Sequence, residues 1–207
     1  MTRRAGILAL ALAAAAPGQT PSRRAPGQWE RELKGAAQTA GAARLKISSP
    51  GRLTVRPSSS RDRSISYQWV FRAAAASEEA ARALLDQARV QVRTANGWCA
   101  LTALGSGIER SELTVNVPAD LEQYIFEAAA GGVSVRGLNG DILATSGAGS
   151  IDMDEIRGNV TARTGGGAMT FGRVSGALRC LSGGGTIRAA RAGGEAILES
   201  AGGEIWL

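Results

Sequence analysis

The segment Gly149–Gly166, GSIDMDEIRGNVTARTGG, carries the architecture of this chain in a single unit. Ile151 and Met153 alternate with Asp152 and Asp154, and Val160 and Ala162 alternate with Thr161 and Arg163. Alternation with a period of two belongs to short strands that bury one face. Ile156 reads as an inward residue at the bend between the two strands. The flanking glycines read as corners, because glycine takes positive φ without a Cβ penalty.

The unit recurs every 18 residues from Gly131 onward. Val133, Ile151, Met169, Ile187 and Ile205 form one column, and Val135, Met153, Phe171, Ala189 and Leu207 form a second. Leu138, Ile156, Val174 and Ala192 make a third. The strand after the bend supplies two more: Ile142, Val160, Leu178 and Ala196, then Ala144, Ala162, Cys180 and Leu198. None of these positions is charged, in a chain that is 20% charged overall. A fixed short period with apolar columns predicts a parallel β-solenoid, an all-β single domain whose core is continuous only through stacking. Glycine keeps the same step at 140, 158, 176 and 194 and at 149, 167, 185 and 203.

Upstream the pattern loosens. Residues 1–18, with Arg3-Arg4 before the apolar run Gly6–Ala16, read as an export signal too short to span a bilayer. Residues 19–40, rich in Pro, Gly, Ala and Arg, read as a linker. The solenoid is expected over 41–207, with irregular coils over 41–130 and regular repeats over 131–207. Pro50-Gly51 suits a type II turn, and Asn96-Gly97 suits a tight hairpin. One helix is expected over about 77–88, capped by Ser77, with charge pairs along Glu78, Arg82 and Asp86. Tyr124 and Phe126 lie 18 before Ile142 and Ala144, and Val115 and Val117 lie 18 before Val133 and Val135. That spacing places both pairs one coil below.

Chemistry is sparse. The chain has no histidine, which removes the usual general base and the commonest zinc ligand. Asp152, Asp154 and Glu155 form the densest carboxylate cluster, where a glycan-cleaving site is conceivable. An Arg136–Asp154 contact between neighbouring coils is the plainer expectation. A calcium-binding roll needs Asp in every turn, whereas Ser134, Thr170 and Arg188 stand at the positions matching Asp152. The hydroxyls of Ser146, Thr164, Ser182 and Ser200 read as a ladder satisfying turn backbone, with a ligand-facing row as the alternative. Cys99 and Cys180 could bridge in an exported protein, but Cys180 sits in an inward column and reads as a buried thiol. No catalytic, cofactor-binding or metal-binding residue is assigned, and no cofactor is implied.

Charge divides the chain. Its net charge is +6. Residues 19–130 carry 15 basic and 11 acidic residues, and residues 131–207 carry seven of each. A neutral repeat offers no stripe for a phosphate backbone, which argues against nucleic acid as a partner. No segment after the signal is long and apolar enough for a membrane helix. Leu143, Leu181, Ile197 and Trp206 face outward without forming one patch. The last strand, Gly203–Leu207, is expected to expose unpaired backbone, so end-to-end pairing with another chain is an alternative.

The export signal, the step Val115-Asn116-Val117-Pro118, and the corners Ser146-Gly147, Thr164-Gly165-Gly166 and Ser182-Gly183-Gly184 resemble the bacterial putative-adhesin family. The resemblance covers about residues 41–207 and implies an exported β-strand-repeat domain of unknown function. It carries over no functional residue. The chain is also somewhat similar to bactofilins, which polymerise end to end, but those are cytoplasmic. The function expected is a non-catalytic, adhesin-like binding or scaffold module of the periplasm or cell surface with an unknown envelope ligand. Self-assembly through the C-terminal coil and a carbohydrate-active enzyme are the alternatives.

Overall fold

Alternation sends Val133 and Val135 inward and leaves Ser134 and Arg136 at the surface, and the strands that follow repeat the choice as far as Ile187 and Ala189. The computed structural model describes residues 21–59, 63–105 and 110–207, together with the backbone of 9–11. Most of the expected export signal therefore lies outside the described residues.

The chain begins with β1 (Ala9–Ala11), β2 (Ser22–Ala25), β3 (Gln28–Gln38), β4 (Arg44–Ser49), β5 (Arg52–Pro57) and β6 (Ser64–Ala74). Then come α1 (Glu78–Leu85), β7 (Arg89–Ala95), β8 (Trp98–Leu104), β9 (Arg110–Val117) and β10 (Asp120–Ala128). Short strands follow: β11 (Val133–Arg136), β12 (Asn139–Ser146), β13 (Ile151–Asp154), β14 (Val160–Thr164) and β15 (Met169–Val174). The last are β16 (Leu178–Ser182), β17 (Ile187–Ala192), β18 (Ala196–Ser200) and β19 (Ile205–Trp206).

These elements make an all-β fold of two mixed sheets with one short helix. One sheet runs β1-β7-β8-β4-β10-β12-β14-β16-β18, and the other runs β19-β17-β15-β13-β11-β5-β9-β6-β3-β2. Among the strands β10 to β19 every mutual pairing is parallel and, past the irregular Asp120–Asn139 step, joins residues 18 apart. Ile151 partners Val133 and Met169, Phe171 partners Met153 and Ala189, and Ala162 partners Ala144 and Cys180. The columns read from the sequence are thus vertical neighbours in the core. Their burial fades at the end of the stack, where Leu198 is half-buried and Ile205 and Leu207, expected inward, are 44% and 80% exposed.

Before residue 120 the structure departs from the expected coils. The β3–β6–β9 and β7–β8 pairings are antiparallel, so parallel pairing does not extend through the chain. Residues 19–40 are not simply a linker, because β3 runs along all of β6. Trp29 and Leu33 are buried there, and the Trp29 indole donates to the Ala75 carbonyl at 3.1 Å. The aromatic strand Ile65–Tyr67–Trp69–Phe71 demands that cover: its inward side is fully packed, and its open edge requires a partner. Gly35 fits because a Cβ there would lie 2.4 Å from the Tyr67 hydroxyl.

Neighbour order also differs from chain order. Tyr124 and Phe126 do pair with Ile142 and Ala144. Val133 and Val135, however, pair with Leu53 and Val55, and those residues pair in turn with Leu113 and Val115. Strands β4 and β5 form a layer wedged between β8–β9 and β10–β11. An 18-residue offset identified the inward face of Val115 and Val117 but not their neighbour. The helix is shorter than expected. Ser77 caps it, with the Ala80 amide donating to Ser77 Oγ at 3.2 Å, and Arg82 pairs with Glu78 at 2.7 Å. Asp86 turns away to Arg31.

Corner glycines act mainly through space. Among the repeat glycines, left-handed φ is confined to Gly137, Gly140 and Gly158. A Cβ at Gly167 would fall 2.1 Å from the Gly149 carbonyl oxygen, and one at Gly185 would fall 2.0 Å from that of Gly167. Gly51 is the same case: it lacks the positive φ of the expected type II turn, and its Cβ would lie 2.2 Å from the Ser111 carbonyl oxygen. The Asn96-Gly97 hairpin forms as expected, with φ of 52° and 76°.

Beside the glycines runs the hydroxyl ladder. Ser146, Thr164, Ser182 and Ser200 donate to the carbonyls of Gly131, Gly149, Gly167 and Gly185 at 2.8, 2.8, 3.4 and 3.0 Å. Each also accepts the amide three residues ahead, at 2.8 to 3.2 Å. Each of the four hydroxyls thus serves turn backbone with its proton and at least one lone pair.

Two outcomes test this account. Gly167→Ala should destabilise the protein by about 2 kcal/mol or more through overpacking. Gly166→Ala, with nothing within 4 Å of the added carbon, should stay within about 0.5 kcal/mol. Urea unfolding midpoints distinguish them. Thr164→Val, which keeps the shape and removes both hydrogen bonds, should cost about 1–3 kcal/mol, while Thr164→Ser should retain most of the stability.

Candidate functional site

Each repeat bends between its two strands at 137–139, 155–157, 173–175 and 191–193. Leu138, Ile156 and Val174 plug the bend from inside, so the residues on either side must point outward. Gly137 and Glu155, at the same repeat position, both take left-handed φ, 68° and 58°. Glu155 adopts without glycine a conformation uncommon for other residues. The result is a groove of about 830 Å³ along the corner, lined among others by Pro57, Glu155, Arg157, Arg173, Ser175 and Arg191.

Its charge is unbalanced. Arg173 and Arg191 are register partners on neighbouring strands, about 4.8 Å apart along the stack. Arg173 reaches back to Glu155 at 2.5 Å. Arg157 and Arg191 form no ion pair among the described residues. The groove thus gathers three of the seven arginines of residues 131–207 and one of the seven carboxylates. The segment is neutral in total and basic at this corner. A concave surface with unpaired guanidiniums is suited to oxyanions, which match the planar fork of donors. Sequence reasoning missed this cluster, although Glu155, Arg173 and Arg191 lie 18 apart and could have been found by reading the outward columns as closely as the inward ones.

Two of the three clustered carboxylates, Asp154 and Glu155, are engaged by the following coil. Asp154 Oδ1 accepts the Arg173 amide at 3.0 Å and the Glu155 amide at 2.9 Å. The Arg173 backbone bond, chiefly, holds this carboxyl below its ordinary range. Arg136 is the register partner of Asp154, but the carboxylate oxygen binds backbone of the following coil. Asp152 stands exposed on β13 between Ser134 and Thr170. A general acid needs a raised pKa and a base needs freedom to take a proton; Asp154 has neither, and Glu155 is engaged by Arg173.

The cysteines are apart and free. Cys99 on β8 stands in the same transverse row as Leu178, five ladder steps away, and Cys180 is two residues beyond Leu178. Five steps are about 24 Å, far beyond the reach of a disulfide. Both are buried, and burial pushes the Cys180 thiol up to about 12. Neither is a nucleophile at neutral pH. Among the described residues no helix is long and apolar enough to cross a membrane, a statement that leaves strands aside.

No family model and no curated protein matches the chain. Among solved structures it is similar to a putative cell adhesion protein from Clostridium sporogenes, with a TM-score of 0.60 at 13% identity over 86% of this chain and 98% of the other. A putative adhesin from Bacteroides fragilis matches with a TM-score of 0.39 at 11% identity, over 86% and 97%. A putative lipid binding protein from Parabacteroides distasonis matches with a TM-score of 0.34 at 8% identity, over 85% and 96%. At such identity the Clostridium likeness establishes a shared fold and nothing finer.

Proposed function

We propose that this chain is an exported, non-catalytic, adhesin-like binding or scaffold module of the bacterial envelope, a right-handed parallel β-solenoid from its glycine-cornered repeats to the layers beneath them. Residues 1–18 act as its signal peptide, and the mature protein resides in the periplasm or at the cell surface. Support for the solenoid comes from the 18-residue parallel register that holds from Gln123 on β10 to β19. Support for the adhesin-like role comes from the fold shared with the Clostridium protein.

The observation that carries the binding role is the corner groove. Its floor is fixed by buried Ile156 and Val174 while the guanidiniums of Arg157 and Arg191 form no ion pair among the described residues, so it is a rigid surface with unspent hydrogen-bonding capacity. It spans five levels of the stack, from Pro57 to Arg191, long enough to follow a linear anionic polymer and not merely one group. Envelope polysaccharides bearing carboxylates or phosphates are the ligand class it fits. In an array of such polymers the full chain should show saturable, salt-sensitive binding that falls about tenfold or more in Arg157→Gln/Arg191→Gln. Unchanged binding in that variant overturns the assignment of the groove. Release of new reducing ends, lost in Asp152→Ala or Asp154→Ala, would establish the carbohydrate-active enzyme instead.

A second reading, self-association through the last coil, is favoured by one observation. Ile205, Trp206 and Leu207 expose 44%, 56% and 80% of their surface beside the half-buried Leu198 and a shallow apolar groove of about 420 Å³. The occupant would be the same surface of a second copy. Sedimentation of the full chain should then depend on concentration, and Trp206→Lys should abolish that dependence. A monomer at every concentration eliminates the reading.

A further inference from the structure

The opposite corner, where β5, β9 and β11 begin, holds a second and separate concavity of about 480 Å³. Its lining includes Gly51, Arg52, Arg72, Arg110, Ser111 and Glu112. The sheet register creates it. Arg110 stands directly opposite Arg72 across the antiparallel β6–β9 pair, and Arg52 stands opposite Glu112 across the parallel β5–β9 pair. Like charges facing each other on one side of a sheet are destabilising unless something neutralises them.

The protein neutralises only part of this. Glu30, 8% exposed, accepts Arg72 Nε at 2.7 Å and Arg24 through Nε and a terminal nitrogen at 3.0 and 2.7 Å. That carboxylate is saturated, and it fixes Arg72 with its remaining donors unused. Arg52 and Glu112 approach only to 4.0 Å, a loose surface pair. Arg110 has no carboxylate partner among the described residues. Three guanidiniums therefore line the concavity against one carboxylate.

The floor carries an independent anomaly. Ser111 occupies the column that continues through Gly51, Gly131, Gly149, Gly167, Gly185 and Gly203, and it is the member with a side chain. Its hydroxyl is buried and has no hydrogen-bond partner. Hydroxyls in the neighbouring corner column are each doubly bonded, whereas this one is unpaired and closed to solvent, against Gly51 and on the face of β9 that Leu113 shares.

We propose that this concavity is a binding site for a phosphate oxyanion, with Arg110, Arg72 and Arg52 as its cationic walls and Ser111 at its floor. Glu30 is the positioning residue that holds Arg72 in place. A single phosphate group, free or as the headgroup of a phospholipid or sugar phosphate, matches the size of the site and its cluster of donors.

The test is a titration of the isotope-labelled full chain with inorganic phosphate at constant ionic strength, followed by amide resonances. Saturable shifts should appear at Gly51, Arg52, Ser111 and Gly131, and affinity should fall about tenfold in Arg110→Gln. Arg110 and Arg52 are exposed, so Arg52→Gln serves as a second variant, and Arg163→Gln, an exposed position on β14 of the other sheet that lines neither concavity, should leave the affinity read at these four amides unchanged. Phosphatidylglycerol vesicles against phosphatidylcholine vesicles, and glucose 1-phosphate, form the parallel arms. Arg110-dependent binding in the vesicle arm assigns the phosphate to a lipid headgroup, and binding in the soluble arms assigns it to a free or sugar-borne group. Shifts that never saturate, or identical affinity with and without Arg110 in every arm, overturn the site.

Discussion

Successive coils meet at the glycine corner with no space between them. At Gly149, Gly167, Gly185 and Gly203 the nearest backbone atom of the coil below would lie 2.0 to 2.3 Å from an added Cβ. That closeness lets the hydroxyl of one coil reach the glycine carbonyl of the coil beneath while accepting its own turn amide. Turn backbone that would otherwise be left unpaired as the stack grows is thereby satisfied. With the corners fixed, the flanking strands fall into parallel register, and the apolar columns become continuous. Stacking, hydrogen bonding and burial are thus set by one close approach repeated at each level.

The regular half of the fold is legible in sequence because period and burial coincide there. Val133, Ile151, Met169 and Ile187 recur at one spacing, and each is fully or almost fully buried on its neighbour. Glycine was also legible, though for an incomplete reason: left-handed φ applies at Gly140 and Gly158, and lack of room governs Gly167 and Gly185. The N-terminal half resisted the same reading. Alternation in Leu53 and Val55 or in Leu113 and Val115 declares which face is inward, but it says nothing about which strand lies beside which. Only long-range register shows that β4 and β5 slot between layers formed later in the chain. Strand β3 was hidden by composition. Trp29 and Leu33 are its main apolar anchors, and much of the rest is Gly, Ala and charge.

Sites were harder still, since the forces that make the core leave the surface free. Any outward residue that tolerates a strand fits the columns containing Asp152, Arg173 or Arg191. The carboxylates drew notice because they cluster along the sequence, yet Asp154 serves the backbone of the next coil. The arginines escaped notice because they cluster only after folding: Arg110 and Arg72 are 38 residues apart in the chain and adjacent in the sheet. Net charge concealed them as well. In residues 131–207, which hold Arg157, Arg173 and Arg191, seven basic and seven acidic residues suggest an indifferent surface until their distribution is known.

The two corners therefore divide the labour of the fold. At the glycine corner of the regular repeats, side chains are excluded and hydrogen bonds are consumed, so substitution there is answered by loss of stability. At the bend, Ile156 and Val174 seal the core from beneath, and the adjacent positions are free to vary from Gly137 through Glu155 to Arg173 and Arg191. Charge can accumulate there at one residue per coil without disturbing any packed atom. A stack built in this way carries a basic groove on residues at two repeat positions, that of Glu155, Arg173 and Arg191 and that of Arg157. The exception at the glycine corner is Ser111, in the layer beneath Gly51, where the regular stack gives way to the antiparallel strands. There the constraint of close approach lapses, a side chain enters the column, and its hydroxyl is left without a bond.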